Sequence, residues 1–186
     1  TLGALRLELA KQMNLLDKNE YRFVWVTEFP LLEWNDEENR YQAMHHPFTM
    51  PMDDCIQYLE SDPGKVRAKC YDLVINGVEM CSGSIRITDP ALQDKMFKAL
   101  GMKDDEIEAK FGFLVSAFKY GAPPHGGMGL GLDRLCMIML GTDSLRDVVA
   151  FPKMQNAREL MSGAPSVCDG VQLEELGITV NTNNEE

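Results

Sequence analysis

The chain has 186 residues, 45% apolar and 25% charged, which suits a soluble globular domain with its own hydrophobic core. Its longest apolar run, Leu135 to Leu140, falls far short of the roughly 18 residues a membrane helix needs, and no basic-then-apolar leader opens the chain. A net charge of −11 without any basic stripe excludes a module that grips nucleic acid unaided, because phosphate contacts dominate that affinity.

The chain starts without Met, inside what reads as a helix over Leu5 to Leu16, so it is expected to be a piece of a longer protein. Arg22 to Phe29 is dense in β-branched and aromatic residues and stops at Pro30, which predicts a buried strand. Asn35 to Asn39 predicts a turn, Tyr41 to Thr49 a returning strand, and Asp53 the N-cap of a short helix through Tyr58. Lys69 to Ile75 and Val78 to Ile87 predict two strands joined by Asn76-Gly77, a strong hairpin signal. Pro90 suits the first turn of a helix to Leu100, and a second helix is expected from Asp105 to Tyr120. Ala122 to Gly127 predicts a loop, Leu132 to Leu140 a helix, and Val148 to Phe151 a short strand closed by Pro152. After Val180 the polar residues 181–186 predict a frayed tail. Hairpin-joined strands followed by helices make the expected class α+β: an antiparallel sheet flanked by helices, one domain over residues 1–180. Cys55, Cys70, Cys81, Cys136 and Cys168 form no CxxC pair, so a zinc ribbon is excluded and reduced, cytoplasmic thiols are expected.

Four segments hold polar residues or glycines that folding alone does not require. In Met44-His45-His46-Pro47-Phe48-Thr49 an imidazole has the chemistry to donate to a substrate carboxylate; on a strand only one of the two histidines faces a given pocket, and two half-exposed strand residues are the plainer reading. Asp72 and Glu79 stand on the two arms of the hairpin. If they share a face, two repelling carboxylates suit a hard cation such as Mg²⁺; otherwise they are solvated acids. Cys81-Ser82-Gly83-Ser84-Ile85-Arg86 offers small residues that permit close approach to the backbone, then a guanidinium matched to a carboxylate. Gly126 to Arg134 is glycine-rich and enters a helix, yet lacks the spacing of a Walker loop or a dinucleotide fingerprint. A helix N-terminus with Arg134 in its first turn favours phosphate.

Together these segments resemble the class II aminoacyl-tRNA synthetases, and within them the bacterial-type aspartyl-tRNA synthetases. Gly129-Leu130-Gly131-Leu132-Asp133-Arg134 resembles the third signature motif of that class. His45-His46-Pro47-Phe48-Thr49 and Gly83-Ser84-Ile85-Arg86 narrow the likeness to the aspartate enzymes, and it extends from about Leu2 to Ile178. The resemblance implies the C-terminal part of a catalytic domain that activates L-aspartate with ATP and passes it to tRNA. It implies that His45, Arg86 and His46 bind aspartate, that Glu79, Gly131, Leu132, Asp133 and Arg134 bind ATP, and that Asp72 and Glu79 hold Mg²⁺. It further implies a homodimer, tRNA contacts made mainly outside this segment, and no membrane. Cys81-Ser82 stands where the family commonly has glycines, a variation expected to be tolerated. The first and second signature motifs are absent, so the segment is expected to be inactive alone. Alternatives are an asparagine-specific or amide-forming relative, or a non-catalytic paralogue; the latter would have no need of Glu79, Arg86 and Arg134.

Overall fold

A computed structural model describes residues 2–17 and 19–181. Of the expected tail only Asn181 falls within it; residues 182–186 lie outside the described residues. Two compact units emerge, one ending at Leu135 and one beginning at Cys136.

The first unit opens with α1 (Leu2–Gln12), which buries none of its side chains. β1 (Phe23–Thr27), β4 (Cys70–Ile75), β5 (Val78–Ile85) and β6 (Gly126–Leu130) form one antiparallel sheet in the order β1-β4-β5-β6. β2 (Leu32–Asn35) and β3 (Arg40–Ala43) make a separate hairpin. Asn76 and Gly77 both take positive φ (49° and 82°), the left-handed pair a two-residue hairpin turn needs. α2 (Pro90–Ala99) starts on proline, with Asp89 accepting from the Ala91 amide, and α3 (Asp104–Phe118) follows it. α4 (Leu132–Leu140) begins in this unit and runs into the next.

The core lies where β2, the start of β4 and α2 meet. Leu31, Leu32, Leu59, Val66, Ile87 and Met96 are all at most 2% exposed there. At about 25 cal/mol per Å² of apolar surface, each such side chain contributes on the order of 2 kcal/mol. A second cluster joins α2 to α3: Phe97 and Phe111 stack at 5.4 Å while Phe48 meets both edge-on, tying the segment after the two histidines to the helices.

Several sequence expectations shift. The expected strand Tyr41 to Thr49 stops at Ala43. Pro47 has no N–H to give a ladder, and the Thr49 amide instead closes a turn on the His46 carbonyl at 3.1 Å. Asp53 caps nothing: the local turn is a 3₁₀ turn, Ile56–Tyr58, and the Asp53 carboxylate takes two bonds of 2.8 Å from Lys69. The loop expected over Ala122 to Gly127 yields at Gly126 to β6. Strand β1 is exposed along its whole length rather than buried.

In the second unit the expected strand Val148 to Phe151 does not form. The Val148 amide bonds back to the Leu145 carbonyl at 3.2 Å, ending a 3₁₀ turn (Leu145–Asp147), and among the described residues no strand pairs with it. A short helix, α5 (Gly170–Glu175), was not foreseen. Glu159 is 8% exposed; its carboxylate accepts from the Ser162 hydroxyl and from the Met161 and Ser162 amides, the amides both at 2.6 Å, and the hydroxyl first and then the amides hold its pKa below the usual carboxylate range.

Candidate functional site

The polar residues of β4, β5 and its continuation fall on one face of the sheet, and strand register explains how. Alternation puts Ser82, Ser84 and Arg86 on one side of β5 and its continuation. Ser82 faces Asp72 across the pair and Ser84 faces Cys70, which adds both to that side. Glu79 is an odd number of positions from Arg86, so plain alternation would send it to the opposite face. A register shift between Leu73 and Val74 removes the mismatch: Leu73 pairs with Cys81 but Val74 with Glu79, leaving Met80 as the extra residue of a bulge. Glu79 thereby shares a face with Val74 and, through it, with Asp72.

Gly83 lets the strands come this close. A Cβ there would overlap the Gly127 carbonyl oxygen and stand 2.6 Å from Tyr71 Cε2. The Tyr71 ring lies over it from β4, and its hydroxyl donates to the Gly127 carbonyl at 3.0 Å.

His45, His46, Thr49, Cys70, Ser82, Gly83, Ser84 and Arg86 line an open crevice of about 260 Å³. Both histidines belong to it. The expectation that strand geometry lets only one look in is corrected, because they sit on a bend rather than in a strand. The His45 ring packs on Phe29 at 4.9 Å. His46 Nδ1 accepts from the Phe48 amide at 3.2 Å, so in the neutral ring the proton sits on Nε2. Burial of the ring and then the neighbouring Arg86 hold its pKa below the ordinary 6.5, which favours the neutral ring at pH 7 with Nε2–H as its donor group.

Arg86 Nη1 and Asp72 Oδ1 are buried without any hydrogen-bond partner. An unpaired buried polar atom is costly, most of all on a charged group, so both mark places where a ligand would relieve the cost. Thr49 Oγ1 is also buried without a hydrogen-bond partner, with the Cys70 thiol as its neighbour. Burial pushes that thiol's pKa up, which makes it inert at neutral pH.

Glu79 and residues Gly131 to Arg134 do not line the crevice. They form a second cluster on the bulge. Arg134 Nη1 donates to the Glu79 carbonyl at 2.7 Å and stands 3.5 Å from its carboxylate, while the Gly131 amide donates to the Met80 carbonyl at 2.8 Å. These bonds fasten the start of α4 to β5. Leu132 and Asp133 are exposed in the first turn of α4. Asp72, opposite Ser82, stands between crevice and cluster. Among the described residues no three His, Cys, Asp or Glu side chains gather as a metal cage. Thr49 and Cys70 are crevice residues that sequence reasoning did not assign; only the proximity of Thr49 to the histidine pair hinted at either.

Residues 4–155 match the family model described as tRNA synthetases class II (D, K and N). The chain is 58% identical to the aspartate–tRNA ligase of Clostridium beijerinckii over 181 residues, covering 97% of the chain and 30% of that protein. It is 59% identical to the aspartate–tRNA(Asp/Asn) ligase of Lachnoclostridium phytofermentans over 179 residues, 96% of the chain and 30% of that protein. The chain thus spans about a third of the length of the curated relatives it matches. Among solved structures, the aspartyl-tRNA synthetase from Entamoeba histolytica aligns with a TM-score of 0.54 and 29% identity, over 80% of this chain and 25% of that one. The asparaginyl-tRNA synthetase of the same organism, in complex with asparaginyl-adenylate, aligns at 0.55 with 24% identity over 82% and 28%, and shares the fold alone.

Proposed function

The chain belongs to the class II tRNA synthetases of the D, K and N group, and on that premise we propose that it is the aspartate-selecting part of the catalytic domain of an aspartate–tRNA ligase, residues 1–180 forming its C-terminal portion. The observation that carries this reading is the buried, partnerless Nη1 of Arg86 in a crevice shared with a neutral His46. Among the described residues Arg86 has no ion pair, and a cation so placed is a poor way to build a core and a good way to select an acid. The Arg86 guanidinium pairs with the side-chain carboxylate of aspartate, while His45 and His46 flank the amino-acid backbone from the bend. Asparagine offers the same shape without the charge, so it leaves Arg86 uncompensated and binds less well.

ATP lies along the second cluster, with Arg134 and the start of α4 (Gly131, Leu132, Asp133) toward its phosphates and Glu79 beside it. The donor set fits Mg²⁺: Asp72 with its orphaned buried oxygen, and Glu79 brought to the same face by the bulge, supply hard oxygens and leave the remaining positions to phosphate and water. When bound there, Mg²⁺ supplies neutralisation of phosphate charge. The aspartate α-carboxylate attacks the α-phosphorus, pyrophosphate departs, and the terminal ribose hydroxyl of tRNA then takes the aspartyl group, releasing AMP. No protein nucleophile is required; this chain contributes binding, alignment and charge. The tRNA grip and homodimerisation belong to the rest of the enzyme, a cytoplasmic one, and residues 1–186 alone are inactive. Among the described residues no helix is long and apolar enough to cross a membrane.

Aspartate-dependent ATP–pyrophosphate exchange in the full-length protein tests the reading. Arg86→Gln is expected to weaken aspartate binding by at least about 100-fold, as truncating a buried charge partner does, and to abolish the preference over asparagine. Retained preference would refute the assignment, and exchange at full rate by the isolated chain would refute the inactivity.

A further inference from the structure

Of the buried residues of α2, Leu92, Met96 and Phe97 are apolar and the fourth is Gln93, only 1% exposed. Its Nε2 donates to the Pro47 carbonyl at 2.9 Å, while its Oε1 is buried with no partner. Leaving half of a buried amide unsatisfied destabilises the core, and a methionine of similar length would avoid that cost. The other end of the bond shows what the amide supplies. Pro47 sits inside the turn that the Thr49 amide closes on the His46 carbonyl at 3.1 Å. That turn aims the Phe48 amide at His46 Nδ1, and it sets Thr49 in a bridge with Arg86. Gln93 itself does not line the crevice. It reaches both ligand-facing side chains only through the backbone of residues 46–49.

We propose that Gln93 is a positioning residue for amino-acid recognition: by holding the Pro47 carbonyl against α2, it fixes the ring of His46 and the register of Thr49 against Arg86. This rests on the aspartate site proposed above. Without the bond the turn keeps its apolar anchor, Phe48 edge-on to Phe97 and Phe111, but loses the polar contact that sets its rotation.

The test uses the full-length enzyme in aspartate-dependent ATP–pyrophosphate exchange, normalised to active sites, with Gln93→Met and Gln93→Glu. For Gln93→Met we expect the KM for aspartate to rise about five- to tenfold, the scale of one buried neutral hydrogen bond. The kcat and the KM for ATP should stay within about twofold, and the melting temperature should change little, because loss of the orphaned Oε1 offsets the Pro47 carbonyl left without its donor. In Gln93→Glu the neutral acid can donate to Pro47, so the ratio of its aspartate KM to wild type should fall towards one as pH drops from 8 to 6. An unchanged aspartate KM in Gln93→Met, or a joint loss of kcat, both KM values and melting temperature, would overturn the proposal. Should Gln93→Met fail to fold, a pH-independent ratio for Gln93→Glu would overturn it instead. A wild-type enzyme without aspartate-dependent exchange would overturn the functional reading along with it, whereas normal wild-type exchange with an unaffected variant sinks this inference alone.

Discussion

Replacing Gly83 by alanine probes the close approach on which the site depends. The added methyl has no room: it would overlap the Gly127 carbonyl oxygen on β6 and crowd Tyr71 Cε2 at 2.6 Å and Gly127 C at 3.0 Å. The obstacle is backbone, so no rotamer change relieves it. If Tyr71 moves, its 3.0 Å bond to the Gly127 carbonyl goes too. Overpacking of this kind costs about 1–3 kcal/mol, with the upper end apt for backbone, and the hydrogen bond adds about 1 kcal/mol, for a total of about 4 kcal/mol. For a unit of about 150–250 residues each kcal/mol lowers the melting temperature by about 2–4 °C, so a drop of about 8–16 °C is expected in the transition of the domain that holds β5 and β6. Gly129→Ala is the internal control. It lies on the same strand pair, opposite Ser82, and a Cβ there meets nothing within 4 Å. Thermal unfolding of the full-length protein, followed by near-UV circular dichroism, reads both. A Gly83→Ala melting temperature within about 2 °C of the control would refute the argument, since β5 and β6 would then tolerate a separation the structure does not have.

His46 gives a pH dependence with a definite sign. Its folded pKa is depressed below 6.5, so the unfolded chain binds more protons between the two values and stability rises with pH across that window. The contribution is complete above about 6.5 and is lost as pH falls through the folded pKa; urea midpoints from pH 5 to 7 should show this slope, and His46→Gln should flatten it. Timed alkylation with mass spectrometry should find Cys168, which is exposed, modified well before Cys55, Cys70 and Cys81, which are buried, with the raised pKa of Cys70 adding to its protection. Early labelling of Cys70 would contradict the packing around the crevice.

Features that depend on neighbours in the chain could be read without coordinates. Asn76-Gly77 turns because both residues tolerate positive φ, α2 starts at Pro90 because the ring presets its first turn, and the site-bearing segments announce themselves by residue types that folding does not demand. Interactions between distant segments could not be read this way. β6 is glycine-rich and has little strand propensity of its own; it is a strand because β5 offers it a ladder. Val148 to Phe151 has the propensity but, among the described residues, no partner strand, and stays irregular.

The same division runs through the site. Residue identities at 45, 46, 72, 79, 86 and 131–134 nominated the chemistry, but period two alone would put Glu79 and Arg86 on opposite faces, and the bulge at Met80 reverses that. The tautomer of His46, the orphaned nitrogen of Arg86 and the hold of Gln93 on Pro47 are likewise tertiary facts. Local backbone preference acts over a few residues and is written into adjacent side chains. Burial, register and hydrogen-bond partnership are set by segments tens of residues apart, and they exist only once the chain has packed.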